Sequence, residues 1–157
     1  LNNAGASLMP ISVIQAIKDH IDLESQMGGY EAANFQKEKN ESFYQKLAQL
    51  IHTSPDHIAW TTNATDAFNK ALSSIPFIKG DTILTTNEDY ASNFIAFFQL
   101  RKQYNLKIIR LPNLEEGGID LEQVEPLIKT HHPKLVAITH IPTSSGLIQD
   151  VEAIGAI

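Results

Sequence analysis

The strongest constraint on this chain is an alternation. From His57 onward, short apolar and β-branched runs take turns with segments patterned for helices. The runs are Ile58–Thr62, Thr82–Thr86, Lys107–Leu111 and Leu135–Thr139. Each has the length and residue types of a strand. Strand–helix repetition of this kind builds a mostly parallel sheet with helices on both faces, joined by right-handed connections. Leu135–Thr139 is a continuous apolar run, as expected of a strand buried on both faces. The first third reads differently. Pro10 stands in a helix's first turn, and Ile11, Ile14, Ile17 and Ile21 recur at helical spacing. Gly28-Gly29 breaks that helix, and a second long one is expected over Glu31–His52. The reading is an α/β fold, with a helical segment over residues 1–56 and βα units over 57–157.

Ile58–Leu72 carries the first hint of chemistry. A short run ends in Asn63-Ala64-Thr65-Asp66, and Ala67-Phe68-Asn69-Lys70-Ala71-Leu72 then continues as a helix with Phe68, Ala71 and Leu72 on one side. Asn63 or Thr62 can cap this helix by accepting from a free backbone N–H, and Asp66 favours the positive end of the dipole. Strand, tight turn and helix start place several N–H groups and a hydroxyl around one point, which is the geometry of a phosphate cup. Capping alone would explain the same polar residues. There is no G-x-x-x-x-G-K-[ST] and no G-x-G-x-x-G, which disfavours nucleoside triphosphate and dinucleotide sites and leaves a single phosphate group.

Composition removes other classes. At 157 residues the chain holds one domain with a real core. Its 43% hydrophobic and 19% charged residues are those of a globular protein. A formal net charge of −6 disfavours nucleic acid and anionic membranes. With no cysteine there is no disulfide, thiolate metal site or cysteine nucleophile. No run is long enough to span a bilayer and no secretory signal is visible, so a cytoplasmic protein is expected. Of the six histidines, His131 and His132 are adjacent and point apart, and no metal site is expected. No G-x-S-x-G marks a hydrolase. The chain starts at Leu1 rather than Met and stops at Ile157, just inside a helix opened by Asp150, which reads as a fragment of a longer protein.

Parallel sheets bind ligands beyond the carboxyl ends of their strands. Three loops fall there: the cup at Asn63-Ala64-Thr65, the turn Asn87–Asn93 carrying Tyr90, and His140–Gly146 with Thr143, Ser144 and Ser145. A phosphate cup, an aromatic ring and a hydroxyl-rich loop on one rim fit a phosphorylated aromatic cofactor.

Five stretches, in order, carry a resemblance: Leu1-Asn2-Asn3-Ala4-Gly5, Thr62-Asn63-Ala64-Thr65-Asp66-Ala67, Gly80–Leu84 with Glu88–Asn93, Gly117-Gly118-Ile119-Asp120-Leu121, and Val136–Gly146. The sequence resembles the class V aminotransferase and cysteine desulfurase family, which binds pyridoxal 5′-phosphate in the type I fold. The resemblance covers essentially the whole chain. It implies that Asn3, Ala4 and Gly5 lie beside an amino acid substrate. It implies that Ala64 and Thr65 hold the cofactor phosphate, that Tyr90 stacks on the pyridine ring, and that Thr143 lies at the phenolic oxygen. It also implies a homodimer in the full-length parent.

Two departures accompany it. Desulfurases usually carry Asn where Thr143 stands. The lysine that links the cofactor and the aspartate that pairs with its ring nitrogen match no residue here, since Lys70, Lys79, Lys107 and Lys134 occupy other positions. Both are expected beyond Ile157, so no catalytic residue is assigned and the fragment is expected to be inactive alone. The alternative is a non-catalytic α/β domain that binds a partner or a phosphate ligand.

Overall fold

The structure is a computed structural model and describes residues 7–157. It divides into two compact units, Leu1–Trp60 and Thr61–Ile157. In the first, helix α1 (Ile11–Met27) follows Pro10 and stops at Gly28. Gly28 takes φ +91°, where an L side chain is strained, and a Cβ there would meet Glu31 Oε2 at 2.9 Å. In place of one helix over 31–52 there are two, α2 (Gly29–Phe35) and α3 (Lys37–Leu50). The break is Gln36, whose φ −92° and ψ 7° leave the helical well. Its N–H still bonds to Ala32 O, so one residue's rotation separates two helices with no glycine or proline to announce it.

Ile58–Thr62 forms no ladder with any described residue, so the first of the four expected strands is absent. Ile58 at its start and Asn63 just past its end are extended, with φ −101° and ψ 123° and with φ −165° and ψ 170°. Extended backbone becomes a strand only where a neighbour supplies hydrogen bonds. The ladders here form among the other three runs.

Those three make the sheet of the second unit. β1 (Thr82–Thr85) lies between β2 (Lys107–Arg110) and β3 (Leu135–Val136), and both pairings are parallel. Four helices belong to this unit: α4 (Ala64–Ser73), α5 (Ala91–Tyr104), α6 (Leu121–His131) and α7 (Val151–Gly155). All of β1 is buried. Successive strand side chains point to opposite faces. Ile83 therefore joins Leu72, Phe77, Ala96, Phe97, Leu106 and Ala137, while Leu84 joins Leu111, Ile119, Val124 and Ile154. α4 and α5 cover the first face, and α6 and α7 the second. Phe97 is fully buried and meets Phe68 and Phe94 edge to face, at 5.8 and 6.4 Å between ring centres. The chain steps from β1 to β2 by way of α5, then back past β1 to β3 by way of α6. Opposite steps over opposite faces have the same hand, as the right-handed rule requires.

β3 is shorter than the Leu135–Thr139 strand expected, and it is an edge. Ala137 N still donates to Leu84 O at 2.8 Å, so the chain keeps its direction past the ladder. Of residues 135–139 only Ala137 is buried; the rest are half-buried, because no strand among the described residues covers the outer side. Apolar clefts of about 290 and 280 Å³ lie along β3. Phe68, Leu72 and Ile75 help line one, and Ile128, Val151 and Ile154 the other.

Candidate functional site

Asn63 is the cap of α4. Its Oδ1 accepts from Asp66 N at 2.9 Å, and the first intrahelical bond runs from Ala67 N to Asn63 O. The cap takes one of the helix's free amides and leaves those of Ala64 and Thr65 at the N-terminus. Asp66 turns its carboxylate to Lys70 Nζ at 2.8 Å and to Thr62 Oγ1 at 3.4 Å. The Lys70 hydrogen bond, with its charge, holds the Asp66 pKa below the ordinary carboxylate value.

The N-terminus of α5 comes to the same place. Thr65 Oγ1 and Ser92 Oγ are 3.4 Å apart, although 27 residues separate them. Two helix starts, each with free amides and a hydroxyl in its first turn, therefore converge. Such convergence favours an anion more than either start alone. Ser92 was not among the residues singled out from sequence. A serine in a helix's first turn is common, and nothing local says which other helix start it faces.

Tyr90 precedes α5 as its cap residue, with no side-chain capping bond, and its ring is mostly exposed. Thr143 is exposed in the loop after β3. The two line one cleft of about 300 Å³, shared with Glu88, Asp89, Thr139 and Ser144. Neither Thr65 nor Ser92 lines that cleft, but Ala91, the residue before Ser92, does. The structure thus brings Tyr90 and Thr143 to one cleft and Thr65 to the start of α5, with Ala64 beside Thr65 at the start of α4. Asn3, Ala4 and Gly5 lie outside the described residues.

Two side-chain bonds join the loops of β1 and β3. Thr139 Oγ1 donates to Asp89 Oδ1 at 2.7 Å, and Ser145 Oγ donates to Glu88 Oε2 at 2.9 Å. The far side of the β3 loop is anchored by Gln149. Its N–H reaches His140 O, and its buried Oε1 accepts from Ile119 N, both at 2.9 Å. Gly146, at φ +71°, closes the inner turn by donating to Pro142 O at 2.8 Å.

Among the described residues no helix is long and apolar enough to cross a membrane. The aminotransferase class-V family model matches residues 1–157. A probable cysteine desulfurase from Methanothermobacter thermautotrophicus is 29% identical over 161 residues, covering 100% of this chain and 40% of that protein. Another, from Pyrococcus abyssi, is 30% identical and covers 98% of this chain and 39% of that protein. Among solved structures, the apo cysteine desulfurase of Thermococcus onnurineus superposes with a TM-score of 0.85 at 28% identity, over 99% of this chain and 40% of that one. The cysteine desulfurase CsdA of Escherichia coli shares the fold, with a TM-score of 0.84 at 19% identity, over 99% of this chain and 41% of that one. The chain therefore spans about 40% of the length of the relatives it matches. Matched along its whole length, the chain belongs to the aminotransferase class-V family.

Proposed function

We propose that this chain is the N-terminal part of a pyridoxal-phosphate-dependent enzyme, of class-V aminotransferase or cysteine desulfurase type, that acts on an amino acid. The observation that carries the reading is the pair of helix starts meeting at Thr65 and Ser92, beside a cleft lined by Tyr90 and Thr143. These groups fit the cofactor's chemistry. The amides of Ala64 and Thr65, with the Thr65 and Ser92 hydroxyls, are donors for a phosphate. The exposed Tyr90 ring offers a face for a pyridine. The Thr143 hydroxyl can donate to a phenolic oxygen.

When bound, the cofactor supplies an electron sink that lets a bond at the substrate's Cα break. The chain's own residues hold and orient. Asn63 fixes the α4 start by taking the Asp66 amide, which leaves the next two amides to face an anion. The Lys70 contact keeps Asp66 engaged within its own helix. Asn3, Ala4 and Gly5 are assigned to the substrate side. The cofactor-linking lysine and the partner of the ring nitrogen match no residue of 1–157, so this stretch alone binds and does not turn over. We assign residues 1–157 to part of the enzyme's major domain, in a cytoplasmic homodimer. The shared length with named desulfurases supports the type of enzyme. Thr143, in place of the usual Asn, favours a branch apart from the desulfurases themselves.

The test is Thr65→Ala in the longer protein. Cofactor affinity should fall by about 1–3 kcal/mol, the loss of one hydrogen bond to a charged group. Unchanged affinity would remove the cup. An unsubstituted protein that binds no pyridoxal phosphate would leave the α/β partner-binding domain as the reading.

A further inference from the structure

Tyr90 and Thr143 sit on loops 53 residues apart in sequence, and each is exposed. Something must hold the two loops in register if they are to work on one ligand. Asp89 stands where it can do this. Its Oδ1 accepts from three donors: Tyr90 N at 2.7 Å, Asn93 Nδ2 at 2.9 Å and Thr139 Oγ1 at 2.7 Å. Its Oδ2 lies 3.5 Å from Thr85 Oγ1, at the end of β1. An ionised carboxylate is acceptor-only and can satisfy several donors at once, so this crowd of donors is matched to its charge. Glu88 reaches the other way, to Ser145. The β3 loop is therefore fastened at Thr139 and at Ser145, and Thr143 lies between the two fastenings. On the β1 side, Tyr90 follows both carboxylates directly, and its own amide is one of the ligands of Asp89.

We propose that Asp89, supported by Glu88, is a positioning residue that sets the distance between Tyr90 and Thr143 and so presents them as a single face to the cofactor. This rests on the site assignment above. Asp89 lines the cleft, but the role argued for it runs through the backbone of Tyr90 and the hydroxyl of Thr139. A bond that only stabilised the fold would not need to converge on the amide of the ring-bearing residue. Nor would it need to span from the end of β1 to the end of β3.

The variant that isolates the clasp is Thr139→Val in the longer protein, with Thr139→Ser as its rescue. Valine keeps the shape and removes the donor, whereas serine restores it. Two readouts are taken. The first is amide hydrogen exchange over residues 87–90 in cofactor-free protein. The second is pyridoxal phosphate affinity, with the circular dichroism of the bound cofactor. The expected result is faster exchange at 87–90, affinity lower by about tenfold and a weakened dichroic signal in Thr139→Val, all reversed in Thr139→Ser. Unchanged exchange in Thr139→Val would overturn the clasp. So would faster exchange with affinity and dichroism intact, since that describes a merely structural bond. If the unsubstituted protein binds no pyridoxal phosphate, the site assignment and the positioning role fall together. Exchange would then still show whether the two loops are mechanically joined.

Discussion

Helix α1 and strand β1 are both apolar elements, and they meet opposite fates. α1 runs for 17 residues and buries none of them, and Ile17 and Ile21 are about half exposed. β1 runs for four residues and buries all of them. The difference is one of closure. β1 has a strand on either side and a helical layer on each face, so its neighbours within residues 61–157 complete its environment. α1 has an apolar stripe at good helical spacing, and the stripe alone does not bring a partner. Periodicity says that a face wants cover, whereas burial depends on what other elements deliver.

Substitutions can press on that contrast, beginning where the effect is largest. Phe97→Ala should cost about 3–5 kcal/mol, because it opens a cavity among Phe68, Phe94 and Leu72 that the sheet cannot close. Urea unfolding followed by circular dichroism measures this, and a cost near 1 kcal/mol would mean that the core is looser than its contacts. Ile17→Ala, on the open stripe of α1, should stay within about 0.5 kcal/mol in the same experiment. A loss as large as that of a core residue would show that the stripe is covered in the working protein, which would erase the contrast. The smallest effect belongs to Lys70→Met. Asp66 has a lowered native pKa, so its pairing stabilises fully above the ordinary value of 3.8 and fades as pH falls through the native value. Removing Lys70 should raise the Asp66 pKa in an NMR titration and flatten the acid limb of stability. An unmoved titration would transfer the effect to Thr62.

The same division explains what could be read before the structure. Features set by a few adjacent residues were legible: the caps Asn63, Asp120 and Asp150, the Gly28 break, and the strands at 82–85 and 107–110. Ile58–Thr62 has the right residue types for a strand, but a ladder needs a second party. Leu135–Thr139 promised burial on both faces, but an edge position grants about half of it. At the candidate site, Thr65 and Tyr90 stand at helix starts and Thr143 in the loop after β3, places where sequence reasoning looks first. Asp89 with Thr139, Glu88 with Ser145 and Thr65 with Ser92 are pairings across 27 to 57 residues. Ordinary residues make them, and only the fold says which of many serines and threonines meets which carboxylate.

The sheet also has a direction of growth. α7 packs on the same face as α6, since Ile154 shares a cluster with Val124. The step under α6 led from β2 past β1 to β3, and a right-handed connection leaving that same face must step the same way again. A parallel strand reached through α7 therefore lands outside β3. It would lie between the two apolar clefts and fill both with alternate side chains. Among the described residues no strand pairs with that outer edge, and the backbone groups along it are the ones an added strand would meet.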